Sequence, residues 1–197
     1  MQNDFLPTTM EEVQNRGWHQ LDIILVCGDS YIDSPYMGIA VIGRVLEREG
    51  YKVGIIAQPE FHSDCDITRL GEPRLFWGVS GGSVDSMVAN FTANKKKRRT
   101  DDYTPGGINN RRPNRAVIAY SNLIRRYYKN TCPLVLGGIE ASLRRLAHYD
   151  FWDDAIRRSI LLDAKADYIL YGMAEKSILA LAAALDKGEE VDRLHGL

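Results

Sequence analysis

The chain has 197 residues, of which 45% are hydrophobic and 26% are charged, and a chain of this size and composition buries enough apolar surface to fold as one compact domain. Its 25 Lys and Arg side chains nearly balance 26 Asp and Glu side chains, for a net charge of -1. This balance excludes an overall field that attracts nucleic acid or membranes, so a polyanionic partner needs a local patch.

The cysteines and the amino terminus indicate a cytoplasmic protein. The three cysteines, Cys27, Cys65 and Cys132, are widely separated, which is typical of reduced thiols and not of a disulfide framework. The first residues lack the basic and apolar regions of a secretory signal, and the longest apolar run, residues 178–185, is too short to cross a bilayer. We therefore expect no secretion and no membrane partner.

A short leading helix is predicted within residues 7–17, ahead of the sheet. Thr9 and Glu12 have the spacing of a capping box, and Gly17 can end the helix in the left-handed conformation. The run Asp22–Cys27 that follows is apolar after its first residue and stops at a glycine. Such a run is typical of a strand buried on both faces of a parallel sheet.

Strands and helices alternate through the rest of the chain. The next helix is predicted to begin with Ser34 as N-cap and Pro35 at the first helical position, and to end near Gly50. The five predicted strands are Asp22–Cys27, Lys52–Ala57, Arg74–Val79, Pro133–Leu136 and Tyr168–Tyr171. The further predicted helices are Ser83–Ala93, Ala116–Tyr128, Glu140–Leu146, Asp153–Leu162 and Ala174–Asp186. Strands separated by helices predict a doubly wound α/β fold in one domain over residues 1–197, with a mainly parallel five-stranded sheet in the flavodoxin-like order 2-1-3-4-5.

Residues 94–115 interrupt this alternation with a long basic loop, for which no regular structure is predicted. Lys95–Arg99 together with Arg111, Arg112 and Arg115 forms the one strongly basic patch of the sequence. Such a patch can contact RNA or a phosphorylated substrate. A solvated loop without a partner is the alternative interpretation.

Four segments that follow predicted strands mark the carboxyl edge of the sheet, where open α/β sheets bind their ligands. Glycines there let the backbone approach a ligand and leave helix amides open to an anion, or they serve only tight turns. The carboxylates there can contact a ligand or cap helices. The candidate cofactor-binding residues are Asp29, Ser30, Tyr31, Ser80, Gly81, Gly82, Gly137, Gly138, Glu140, Gly172 and Glu175. No GxGxxG or GxxxxGK[ST] motif is present, which argues against a dinucleotide or P-loop nucleotide.

The stretch from Glu140 to Lys165 is denser in polar and aromatic side chains than packing requires. Paired arginines can hold a phosphate or carboxylate, and aromatic rings can stack on a ligand or a neighbouring domain. An ion-pair network on a solvated face is the alternative. The candidate domain-contact or substrate residues are Arg144, Arg145, His148, Tyr149, Asp150 and Trp152. His19, His62 and His195 share no ligand spacing, so we assign no metal site and no catalytic residue.

Several long motifs occur together in order. They are FLPT at 5–8, RGW at 16–18, VGIIAQP at 53–59, YTPGG at 103–107, GGIEASLRR at 137–145, HYD at 148–150, RSILLD at 158–163, KAD at 165–167 and YGMAE at 171–175. Over nearly the whole chain they resemble the YgiQ family of radical-SAM proteins. The resemblance implies the amino-terminal domain of a longer polypeptide, followed by a radical-SAM barrel whose CxxxCxxC motif binds a [4Fe-4S] cluster and S-adenosylmethionine. That motif is absent from this chain.

The resemblance also implies an arrangement similar to the cobalamin-binding domains that precede many radical-SAM barrels. Their DxHxxG signature is missing after the first strand, where residues 29–35 read DSYIDSP, so no histidine of that loop can ligate cobalt. The expected role is an auxiliary domain, not catalytic by itself, that covers the barrel and shapes the pocket for an unknown substrate. A corrinoid or other small-ligand module at the carboxyl edge and an RNA-interaction domain are the alternatives.

Overall fold

The computed structural model describes residues 5–191, which form a doubly wound α/β fold. The strands are β1 (Ile23–Cys27), β2 (Val53–Ala57), β3 (Phe76–Ser80), β4 (Leu134–Gly137), β5 (His148–Asp150), β6 (Ala155–Arg157) and β7 (Tyr168–Ile169). The helices are α1 (Met10–Asn15), α2 (Gly38–Arg48), α3 (Ser86–Asn90), α4 (Ala116–Tyr127), α5 (Gly138–Leu143), α6 (Ile160–Asp163) and α7 (Glu175–Lys187). The main sheet is parallel in the order β2-β1-β3-β4-β7, which confirms the predicted order because β7 is its fifth strand.

Both faces of the main sheet are covered by helices. Ile24 and Val26 of β1 pack into a core with residues of α1 and α4. Ile23 and Leu25 point to the opposite face and pack with residues of α2 and α7. This two-sided burial explains why β1 is an unbroken apolar run and does not alternate.

The leading helix confirms its sequence signals. Thr9 is the N-cap of α1, and its hydroxyl accepts a hydrogen bond from the backbone N–H of Glu12 at 3.3 Å. The Glu12 carboxylate accepts from the Thr9 backbone N–H at 3.1 Å, which completes the capping box. Gly17 follows the helix with a φ of 71°.

The predicted start of the next helix is wrong by several residues. α2 begins at Gly38 with Met37 as N-cap, because Ser34 and Pro35 belong to a separate turn. The Ser34 carbonyl accepts from the Met37 N–H at 3.0 Å, and the Ser34 hydroxyl accepts from the Tyr36 N–H at 3.3 Å. The Ser-Pro pair therefore shapes a loop at the carboxyl edge.

Two other predicted helices are also corrected. α3 is only five residues long, because Phe91 is extended and pairs with Lys97 in an antiparallel bridge. The predicted helix Asp153–Leu162 is instead strand β6, paired antiparallel with β5, followed by the short α6. Ser159 separates these two elements by capping α6 through its hydroxyl.

The long basic loop is folded over the carboxyl edge. An antiparallel bridge joins Thr100 to Ile108, and the Ser30 N–H donates to the Tyr103 carbonyl at 2.9 Å. Arg112 is 4% exposed, so its assignment to a surface basic patch is wrong. Among residues 5–191, no helix has the length and apolar composition needed to cross a membrane.

Candidate functional site

A cavity of about 420 Å³ opens at the carboxyl edge of the main sheet, between the starts of α2 and α7. Leu25, Gly78 and Val135 lie side by side in β1, β3 and β4 and form its deepest part. Gly78 adds no side chain there, so the cavity reaches the backbone of β3. Ile39 and Ile178 line it from the two helices. This volume and apolar lining are typical of small-molecule sites.

The rim of the cavity exposes apolar side chains. Tyr36 and Met173 are each 91% exposed, and Ile139 is 43% exposed. These three side chains come from three different loops or helix starts at the same edge. Exposed apolar groups that cluster around an opening are typical of a surface that another molecule covers.

The structure brings about half of the predicted cofactor-binding residues to this cavity. Those that line it are Asp29, Ser80, Gly82, Gly138, Gly172 and Glu175. Those that lie at the same edge but outside the lining are Ser30, Tyr31, Gly81, Gly137 and Glu140. Lining residues that were not predicted include Pro35, Tyr36, Met37, Ile39, Ile139 and Met173. Ile139 and Met173 directly follow the strand-end glycines Gly138 and Gly172, whereas the other four lie just before α2 or in its first turn.

Two helices direct their amino termini at the cavity. Met37 and Ala174 are the N-caps of α2 and α7, and neither side chain accepts a hydrogen bond from the helix. The amides of a first helical turn carry partial positive charge, so this part of the lining favours a negatively charged or electron-rich group. Glu175 and Asp29 add carboxylates nearby, which makes the polar lining mixed in sign.

A buried ion cluster lies beneath the edge. The guanidinium of Arg112 is 2.7 Å from Asp29 Oδ1 and 3.2 Å from Asp101 Oδ2, and it donates to the Gly81 carbonyl at 2.8 Å. Burial acts to lower the pKa of Arg112, but the two carboxylates outweigh it and raise that pKa above its ordinary value. Asp29 also accepts from the Ser83 N–H at 2.6 Å. The cluster thus ties the basic loop to β1 and β3.

The glycines after β3 are required by this packing. Gly82 has a φ of 111°, and a Cβ there would overlap Asp29 and Arg112. A Cβ on Gly81 would overlap the carboxylate of Glu140. Close packing against charged side chains therefore accounts for both glycines without a ligand.

Glu140 joins the starts of two helices from inside the protein. It is 1% exposed, and its carboxylate accepts from the backbone N–H groups of Ser86 at 3.0 Å and Val117 at 3.3 Å. Burial raises the pKa of Glu140, and these hydrogen bonds oppose that rise. Ser86 begins α3 and Val117 lies in the first turn of α4, so Glu140 fixes their relative position.

The predicted contact residues divide between an ion network and an exposed hairpin. Asp150 is 5% exposed and lies 2.6 Å from Arg115 and 2.8 Å from Arg157. Burial acts to raise its pKa, but hydrogen bonds, first that from Arg115, lower the pKa of Asp150 to about 2. Tyr149 is 57% exposed on the β5–β6 hairpin, and Trp152 packs on Phe91 with ring centroids 5.2 Å apart.

The remaining contact residues are engaged locally. Arg144 pairs with Asp85, the N-cap of α3. Arg145 lies over the Tyr171 ring at 5.0 Å, and His148 Nδ1 is 3.1 Å from the Leu146 carbonyl. Only the exposed members of this group, Tyr149 and Arg145 among them, are free to meet a partner surface.

The cysteines lie at different ends of the molecule. Cys27 is buried at the carboxyl end of β1, Cys132 precedes β4 at the opposite end of the sheet, and Cys65 is exposed in the segment after β2. They do not fit the ligand set of one iron-sulfur cluster. Within residues 5–191, no group of three or more His, Cys, Asp or Glu side chains is placed to hold a metal ion. His195 lies outside the described residues.

Comparison with known proteins identifies a structural neighbour. The fold superposes with a TM-score of 0.57 and 19% sequence identity on the radical S-adenosylmethionine methyltransferase TsrM from Kitasatospora setae, solved with tryptophan substrate and a SAM analogue. The match covers 88% of this chain and 27% of that chain. At this identity the likeness concerns the fold alone.

Sequence comparison finds much nearer relatives. The chain is 59% identical over 189 residues to a UPF0313 protein of Thermotoga maritima, 57% identical over 194 residues to one of Fusobacterium nucleatum and 52% identical over 190 residues to one of Pseudomonas aeruginosa. These matches cover 96%, 98% and 96% of this chain but only 33%, 34% and 25% of the relatives. The chain thus spans about a third or less of their length.

A family sequence model described as radical SAM N-terminal matches residues 5–197. That match and the relatives confirm the resemblance to the amino-terminal domain of YgiQ-type proteins. The chain belongs to the radical SAM N-terminal family.

Proposed function

We propose that this chain is the auxiliary amino-terminal domain of a radical-SAM enzyme, and that its carboxyl edge covers the mouth of the catalytic barrel. The observation that carries the proposal is the open cavity with Tyr36 and Met173, each 91% exposed, on its rim. The occupant of this surface is the catalytic domain of the same polypeptide. Relatives that are three times as long supply a segment large enough for that domain.

The iron-sulfur cluster and S-adenosylmethionine belong to the catalytic domain in this proposal, since the cysteines here do not fit a cluster. When bound there, they supply the radical that starts the reaction. The residues of this chain contribute apolar walls, which exclude water from the reacting atoms and narrow the space open to the substrate. The buried Arg112 cluster keeps the edge in a fixed shape by holding the basic loop against β1 and β3.

The test uses the full-length protein with its cluster reconstituted without oxygen. Tyr36→Glu and Met173→Glu place a charge on the rim, and Phe5→Glu, at a side chain 69% exposed and outside the cavity lining, is the matched control. We expect both rim variants to retain the iron content and to cleave S-adenosylmethionine faster without substrate, because water reaches the barrel. Equal rates in rim and control variants contradict the covering role, and a full-length protein that binds no cluster contradicts the radical-SAM assignment.

A second candidate is the binding of a corrinoid or other small ligand at the same edge, favoured by the cavity of about 420 Å³. The residues present fit a small ligand better than a corrinoid. No histidine lines the cavity or follows β1, so no imidazole is available to cobalt from either place. A corrinoid would extend beyond the cavity onto its rim.

Thermal unfolding with and without cobalamin tests whether the cavity binds a corrinoid. A ligand that binds only the folded protein stabilises it by about 2.7 kcal/mol at a hundredfold excess over Kd. Stabilisation by cobalamin, abolished by Val41→Phe in the lining, supports the second candidate. The absence of any shift with cobalamin excludes the corrinoid and leaves the covering role intact.

A further inference from the structure

One surface of the molecule concentrates cations that have no carboxylate partner. Within the described part of the chain, Lys95–Arg99 and Arg111 take part in no ion pair, although most other arginines do. All six of these side chains are exposed. Of the two carboxylates that follow in sequence, Asp101 is buried with Arg112, and Asp102 is exposed but forms no ion pair with these cations in the described structure.

The fold holds the backbone of this basic segment in place. Arg98 Nε donates to the carbonyls of Val88 at 3.2 Å and Phe91 at 3.1 Å. The Asn109 N–H donates to the Arg99 carbonyl at 3.0 Å, so the chain turns back and Arg111 follows on the adjacent segment. A segment whose backbone is already held loses less conformational freedom on binding than a mobile loop does.

Aromatic rings lie beside the cations. Lys95 Nζ is 4.8 Å from the centroid of the Phe151 ring and donates to the Trp152 carbonyl at 3.1 Å. Phe151 is 50% exposed at the turn of the β5–β6 hairpin. Trp152 packs between Phe151 and Phe91, which fixes the orientation of the exposed ring. Cations and a half-exposed aromatic ring thus share one surface.

We propose that this cation–aromatic surface, formed by Lys95–Arg99, Arg111 and Phe151, binds a single-stranded nucleic acid. A single strand combines a line of phosphates with unpaired bases that stack on aromatic rings, and this surface offers a partner for each. A binding role here goes beyond the covering role of the carboxyl edge. It also accounts for a strongly cationic surface on a chain whose net charge is only -1.

The proposal fixes the salt dependence of binding. With about five phosphates contacted on a single strand, the association constant falls about 100-fold between 50 and 200 mM salt. Each cation removed reduces the steepness of the plot of log association constant against log salt concentration by about 0.7. Removing three cations therefore lowers the slope by about 2 and weakens binding about 100-fold at 0.1 M salt.

The test measures fluorescence anisotropy of labelled single-stranded RNA and DNA oligonucleotides with the full-length protein. The test variant combines Lys96→Ala, Lys97→Ala and Arg99→Ala, whose side chains form no hydrogen bonds or ion pairs in the described structure. The control combines Arg48→Ala, Arg126→Ala and Lys129→Ala, which remove the same charge from exposed sites elsewhere. Only the test variant is expected to bind more weakly and to show a smaller dependence of affinity on salt concentration. Tighter binding of RNA than of DNA identifies RNA as the ligand, and the reverse identifies DNA.

A second pair of variants tests the stacking. Phe151→Ala is expected to weaken binding about tenfold by removing one stacked base, whereas Phe5→Ala, also at an exposed ring, leaves it unchanged. Circular dichroism verifies that each variant is folded. The proposal is overturned if wild-type protein binds neither oligonucleotide at 50 mM salt, if the two triple variants lose affinity equally, or if vesicles of anionic lipid compete as well as unlabelled oligonucleotide.

Discussion

Replacing Arg112 with methionine removes the one cation of a buried cluster while keeping much of its volume. Asp29 and Asp101 then remain buried without a counter-charge, and the Gly81 carbonyl loses a donor at 2.8 Å. Breaking a buried ion pair in this way costs about 3–5 kcal/mol. A domain is typically stable by about 5–15 kcal/mol, so the Arg112→Met variant should lose a large fraction of its stability.

The measurement is the free energy of unfolding from denaturant titration followed by circular dichroism. Arg125→Met is the matched control, because Arg125 pairs with Asp167 at 2.7 Å with both side chains partly exposed, at 25% and 41%. An exposed pair contributes about 0–1 kcal/mol. We therefore expect Arg112→Met to lower the free energy of unfolding by at least 2 kcal/mol more than Arg125→Met does.

A further variant separates lost charge balance from lost packing. Combining Arg112→Met with Asp29→Asn and Asp101→Asn leaves no buried charge, so most of the lost stability should return. The explanation is refuted if Arg112→Met costs less than about 1 kcal/mol, or if the neutral triple variant is no more stable than Arg112→Met alone. Arg112→Lys keeps the positive charge but forms fewer hydrogen bonds, so its free energy of unfolding should fall by an intermediate amount. This decrease is measurable even if the methionine variant does not fold.

Three further predictions concern buried polar groups. The folded-state pKa of Asp150, about 2, is below its ordinary value of 3.8, so Asp150 stabilises the protein above about pH 4 and this contribution is lost as the pH falls through 2. Acid titrations of stability should be flatter for Asp150→Asn, and an unchanged profile contradicts the ion network. Burial raises the pKa of the Cys27 thiol to about 12, so Cys65, which is exposed, should react with a thiol reagent at pH 8 long before Cys27; equal rates contradict that burial. Glu140→Ala leaves two buried amides without an acceptor and should cost about 2–4 kcal/mol in denaturant titration; a loss below about 1 kcal/mol contradicts its structural role.

The strand order followed from sequence because each strand of the main sheet is a short apolar run ended by glycine or polar residues. A strand that is buried on both faces is apolar at every position, so a few consecutive residues are enough to predict it. In β1 all five residues are buried. The helices were harder to predict, since Ser34-Pro35 fits a helix start and a turn equally well. The β5–β6 hairpin was missed because ion pairs help to hold it: Asp150 of β5 pairs with Arg157, which lies within the predicted helix Asp153–Leu162, and with Arg115, which is distant in sequence.

The carboxyl edge could be predicted as the candidate site because the ends of parallel strands meet there whatever the side chains are. The full set of residues that line the cavity could not be predicted, since only about half of the candidates lie there. Asp29 was a candidate ligand residue from its position after β1, and the structure shows it 1% exposed and paired with Arg112. That pairing depends on a loop that crosses the edge, and no periodicity in the sequence encodes it.

The sequence by itself determined the α/β class, the parallel order and the family, because these depend on local apolar patterns and on long motifs. Only the tertiary structure decided which charges are buried and which face solvent. Arg112 and Lys97 belong to one basic segment, yet Arg112 is 4% exposed between two carboxylates while Lys97 faces solvent. The physical reason is that a buried charge requires partners from distant parts of the chain, and only the folded chain brings them within hydrogen-bonding distance.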